Sequence, residues 1–164
     1  SGAFMKSVEE ATKLAETMVD IGTSLGREVN ALITNMDEPL GRAIGNALEV
    51  KEAINTLLGK GPDDFTELCI QISAELLSLA GVSKPIEQIK KVIEDNSAYN
   101  KLLEMIEAQG GNLEQILTDN LPKSANITNY NAKASGYIKS INAQEIGKAA
   151  MLLGAGRASK DDEI

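Results

Sequence analysis

Met36-Asp37-Glu38-Pro39-Leu40-Gly41-Arg42-Ala43-Ile44-Gly45-Asn46-Ala47-Leu48-Glu49-Val50-Lys51-Glu52 is the stretch on which the reading of this chain turns. It leaves an alternating apolar run and enters a helix-periodic one. Pro39 has no amide hydrogen, and Gly41 and Gly45 accept backbone angles closed to other residues, so no regular hydrogen-bond ladder is expected through it. Carbonyls in such a bend lack helical partners. Beside a carboxylate, here Glu52, they are the raw material of an oxygen-ligand cation site or of a hinge. The same residues also fit a plain structural turn, in which Gly41 and Gly45 allow close packing and Glu52 is an exposed helix carboxylate.

Working outward, Ser7 and Glu10 form a capping-box pair that opens a helix with apolar positions Ala11, Leu14, Ala15, Met18, Ile21 and Leu25, ended by Gly26. Arg27 to Thr34 alternates, with Val29, Ala31 and Ile33 on one face, and predicts a strand. Helix then strand suggests part of a layered α/β domain. After the bend, apolar stripes punctuated by Gly59-Lys60-Gly61-Pro62, Gly81 and Gly110-Gly111 predict a stack of helices with short joints, closing in a short turn at Asn112 to Leu117. Beyond Pro122 the texture changes. Ile127 to Ala132 and Gly136 to Ile141 read as short strands, and Asn142 with Glu145 caps a helix that stops at Gly154-Ala155-Gly156-Arg157. A boundary at 122–126 divides the chain into a large domain, 1–124, and the beginning of a C-terminal domain, 125–164.

Composition removes several classes of function. A net charge of −8 and 3% aromatic residues argue against nucleic acid or an anionic membrane as partner, because phosphate backbones call for clustered Lys and Arg. No apolar run approaches the ~20 residues that span a bilayer, and no secretory signal pattern is present. With no histidine in the chain, His-based acid–base catalysis and His-ligated zinc are absent from it. Cys69 is the single cysteine, so no intramolecular disulfide forms, and a reducing, cytoplasmic setting fits best. It lies on the apolar face of a predicted helix and reads as an inert buried thiol. Gly59-Lys60-Gly61 lacks phosphate-loop spacing and reads as a helix–helix turn. The tail Asp161-Asp162-Glu163 reads as solvated surface. Both ends look cut within the sequence pattern.

Several blocks, in order, resemble the bacterial pyrimidine-nucleoside and thymidine phosphorylases. They are Ser1-Gly2-Ala3-Phe4-Met5, Ala31-Leu32-Ile33-Thr34-Asn35-Met36, Pro39-Leu40-Gly41, Gly45 to Ala53, Ala108-Gln109-Gly110-Gly111, Ser135-Gly136-Tyr137, Glu145-Ile146-Gly147 and Leu153-Gly154-Ala155-Gly156-Arg157. The resemblance implies a helix-rich α/β class: part of an α/β/α domain with a mixed sheet, followed by the start of a small α+β C-terminal domain. It implies a pentosyltransferase that cleaves pyrimidine nucleosides with phosphate as co-substrate, giving free base and (deoxy)ribose 1-phosphate. Phe4 then matches the apolar wall beside the pyrimidine. Leu40 and Ala43 match carbonyl ligands of a potassium ion, and Glu52 matches its carboxylate ligand. In the family pattern the phosphate loop, the residues gripping the base edge and the homodimer interface precede residue 1. The chain is therefore expected to hold no catalytic residue and to be inactive alone, as a fragment or one piece of a cleaved molecule. The alternatives are a strict thymidine phosphorylase, a related phosphorylase acting on a nucleotide, and a non-catalytic helical interaction module.

Overall fold

A computed structural model describes residues 5–156. Its α-helices are α1 (Val8–Ser24), α2 (Asn46–Leu57), α3 (Asp63–Leu79), α4 (Pro85–Glu94), α5 (Ser97–Ala108), α6 (Leu113–Leu117) and α7 (Ala143–Ala150), the last running on into a π turn, Met151–Ala155. Each begins and ends where local chemistry allows. The Ser7 hydroxyl accepts the Glu10 amide at 3.2 Å, while the Glu10 carboxylate reaches back to the amide of Lys6 rather than of Ser7. Asn112 and Asn142 cap α6 and α7 in the same manner. At the far end of α1, the Arg27 amide bonds the Gly22 carbonyl and the Gly26 amide bonds that of Thr23, with Gly26 at φ 74°. This left-handed stop recurs after α2, α3 and α5.

The middle of the chain packs as the apolar stripes demand. α3 lies on α4, α4 on α5, and α5 on both α2 and α6. Ile89 of α4 is the buried centre of that stack. Thr56 is buried on α2, its hydroxyl donating to the Glu52 carbonyl at 2.9 Å. The return after α2 passes so close that a Cβ on Gly61 would stand 2.1 Å from the Thr56 hydroxyl oxygen, so Gly59-Lys60-Gly61 is a helix–helix turn. α1 packs instead on the segment that follows it: a Cβ on Gly22 would meet Val29 Cγ2 at 2.4 Å. Asn30 ties that segment to α3 through Glu75 at 3.2 Å.

The sheet is the correction. No β-strand occurs among the described residues, so the predicted strands at Arg27 to Thr34, Ile127 to Ala132 and Gly136 to Ile141 are irregular segments here. Alternation records which side of a segment is apolar. A strand also needs a neighbour to take its amides and carbonyls, and among the described residues none pairs with these segments. Their exposure agrees with that account: Ile33 keeps 46% of its surface in solvent and Ile138 keeps 78%. The helix-rich half of the expected class stands, and the mixed sheet is not seen in these residues.

Candidate functional site

The decisive stretch folds as an irregular bend from Asp37 to Gly45, and α2 starts only at Asn46. Gly41 sits at φ 73° and Gly45 at φ 117°, so both glycines are used for conformations an L side chain resists. The amides of the bend are claimed by carboxylates from the helices around it. Glu52 Oε1 accepts the Arg42 amide at 2.9 Å and the Ala43 amide at 3.0 Å. Asp64, in the first turn of α3, accepts the Gly41 amide at 3.0 Å. Glu49, in the first turn of α2, accepts the Gly45 amide at 2.9 Å. Gly41 must lack a side chain for a second reason, since a Cβ there would stand 2.2 Å from Glu52 Oε2.

Amides are only half of each peptide. Among the described residues, neither the Leu40 nor the Ala43 carbonyl accepts a hydrogen bond. Leu40, Ala43 and Glu52 line one pocket of about 320 Å³ together with Phe65 and Leu68 of α3 and Ile146 of α7. The C-terminal part closes one side of it. The Ala143 amide donates to the Asp37 carbonyl at 3.1 Å, and Ala143 itself is buried. A Cβ on Gly45 would lie 3.5 Å from that of Ala155, which brings the π turn against the start of α2.

Phe4, expected beside a pyrimidine ring, lies outside the described residues. So do Arg157 and the acidic tail. Met5, next to Phe4, lines a second and wider pocket of about 970 Å³ with Ile33, Met36 and Ile141. Cys69 is half-buried rather than buried, and burial pushes its thiol above the ordinary range. Asp64 is held below the ordinary carboxyl range, first by the Gly41 amide and further by amides at the start of its own helix. Burial opposes the shift, second in size only to the Gly41 amide. Asp64 and Glu49 were missed as parts of the bend. In the sequence Asp64 with Glu67 signals a helix start, and nothing about a helix start says which distant amide its carboxylate will meet.

The C-terminal stretch has a family signature. The model of the pyrimidine nucleoside phosphorylase C-terminal domain family matches residues 137–164. The similarity extends over the rest of the chain. It is 45% identical over 169 residues to a pyrimidine-nucleoside phosphorylase of Staphylococcus haemolyticus (strain JCSC1435), covering 100% of this chain and 39% of that protein. It is 45% identical over 168 residues to that of Geobacillus stearothermophilus, covering 99% of this chain and 39% of the relative. For Staphylococcus aureus (strain USA300) the identity is 43% over 170 residues, with 100% and 39% covered. By sequence, the chain is similar to pyrimidine-nucleoside phosphorylases along its whole length, and it spans about two fifths of the length of the curated relatives it matches.

Proposed function

We propose that this chain forms part of a pentosyltransferase that cleaves pyrimidine nucleosides reversibly with phosphate. The observation that carries the reading is the end-to-end match to relatives named for that activity, at 45% identity. A phosphate oxygen forms the new bond to C1′ of the sugar. The C1′–N1 bond breaks with its electron pair going to the base, and the products are the base and (deoxy)ribose 1-phosphate. Phosphate is already an anion at neutral pH, so a chain without histidine is compatible with the reaction. What lowers the barrier is orientation of phosphate against C1′ and stabilisation of charge on the departing base.

Within that enzyme, Phe4 packs against the pyrimidine, and the Leu40 and Ala43 carbonyls with the Glu52 carboxylate hold a potassium ion. The donor set fits the ion: two carbonyls without hydrogen bonds among the described residues, and a carboxylate whose Oε1 accepts two amides while Oε2 lies against Gly41. Hard neutral oxygens with a single carboxylate suit a large monovalent cation. Bound there, the ion supplies a fixed positive charge at the edge of the cleft. Residues 1–124 belong to the large lobe, where the segment after α1 pairs into the mixed sheet of a layered α/β/α domain, and 125–164 open the C-terminal domain. Homodimerisation, through a region outside this stretch, and a cytoplasmic location complete the reading.

A non-catalytic helical module would share the unladdered segment after α1, but it would give no reason for a match to phosphorylases along the whole chain. The test is release of base from uridine and from thymidine with phosphate present. The 164-residue chain alone is expected to give none, since the family's phosphate loop and base-edge residues lie outside it. Robust turnover by the purified chain would contradict that placement. In the intact enzyme, turnover of thymidine but not uridine would favour a strict thymidine phosphorylase.

A further inference from the structure

Each amide held in the bend also directs a carbonyl, because the N–H of one residue and the C=O of the residue before it share a planar trans peptide and point in opposite directions. No peptide bond among the described residues is cis. The Arg42 and Ala43 amides, both on Glu52, therefore aim the carbonyls of Gly41 and Arg42. Neither is a proposed ligand. The Leu40 carbonyl shares its peptide with the Gly41 amide, and that amide is held by Asp64 at 3.0 Å. Gly41, at φ 73°, has no Cβ to resist rotation of this peptide about its flanking bonds. Without an acceptor for its amide, the peptide can turn over and take the carbonyl with it.

We propose that Asp64 is a positioning residue: by holding the Gly41 amide, it fixes the direction in which the Leu40 carbonyl is offered to a cation. The proposal rests on the cation reading given under Proposed function. Asp64 suits the task because it lies in the first turn of the 17-residue helix α3, whose packing on α4 sets its position independently of the bend. The arrangement also divides the work. Glu52 both anchors the bend and faces the site, whereas Asp64 acts only through the peptide it holds.

The experiment uses the 164-residue chain and two variants, Asp64→Ala and Asp64→Asn. Asn keeps an oxygen that can accept the Gly41 amide. In Asp64→Ala, hydrogen exchange at the Gly41 amide is expected to speed up about tenfold or more, while α3 amides such as that of Ile72 keep their rates and Asp64→Asn recovers part of the protection. Thallium(I), used as the probe cation, is expected to bind Asp64→Ala about tenfold more weakly than the unsubstituted chain, as loss of one positioned oxygen demands. Unchanged exchange at Gly41 in both variants, or equal thallium affinity with and without Asp64, would overturn the proposal. If the unsubstituted chain binds no thallium, the cation reading passes to the intact enzyme, and the Gly41 rates alone decide whether Asp64 holds that peptide.

Discussion

Gly41 is the residue whose two constraints are easiest to separate from the rest of the molecule. Its positive φ and the 2.2 Å approach of Glu52 to its missing Cβ both exclude a side chain. Gly41→Ala is therefore expected to cost about 1–3 kcal/mol of stability by chemical denaturation, with the helical circular dichroism signal retained. Little change in the denaturation midpoint would mean that the bend yields freely. Cys69 gives a second residue-scale expectation. Half-buried, with its thiol pushed up, it holds little thiolate at neutral pH, so it should react slowly with a disulfide reagent in the folded chain and quickly in denaturant. Equal rates in the two states would contradict its placement on the packed side of α3. At this scale the sequence was eloquent about Gly41 and Gly45, because only glycine relieves such angles. It was silent about Asp64, whose partner 23 residues away is set by how the helices fold back on one another, whereas Glu49 meets Gly45 locally, in the first turn of its own helix.

Among the elements, the helix boundaries were legible because they are decided locally. Ser7, Asn112 and Asn142 act as caps within three residues of themselves, and Gly26, Gly59, Gly81 and Gly110 stop the helices they follow. The segment after α1 was read as a strand from alternation alone, and pairing is not a local property. α5 offers a pH test. Asp95, just before it, accepts the hydroxyl and the amide of Ser97, and the hydroxyl chiefly, with help from the amide, holds its carboxyl below the ordinary range. A carboxyl with a lowered folded pKa adds stability that is present above its ordinary pKa and is lost as pH falls through the folded value. Exchange protection at the start of α5 should thus weaken on acidification, and Asp95→Asn should remove that dependence. An unchanged acid profile in Asp95→Asn would count against the bond. Packing has its own test. Ile89→Ala removes the centre of the α3–α4–α5 stack and is expected to cost about 2–4 kcal/mol, read as a lowered denaturation midpoint.

For the whole molecule, the few buried side chains and the many exposed apolar ones go with a chain that spans 39% of its relatives' length. α1 alone exposes Val8, Leu14, Met18 and Ile21, and Tyr130 and Tyr137 stand open in the segment before α7. The resemblance was legible in short blocks spread along the chain, and two of them, Pro39-Leu40-Gly41 and Gly45 to Ala53, fall on the bend and the start of α2. The strands of a sheet were expected from alternation alone, and none is seen among the described residues. The central claim is that this stretch does a pyrimidine-nucleoside phosphorylase's work when it stands in the rest of such an enzyme. Its most direct test is a chimera in which the chain replaces the matching stretch of the Geobacillus stearothermophilus relative, measured by phosphate-dependent release of uracil from uridine. The account predicts turnover that requires phosphate and falls when Glu52→Ala is introduced. A folded chimera that releases no base from uridine or thymidine would contradict it.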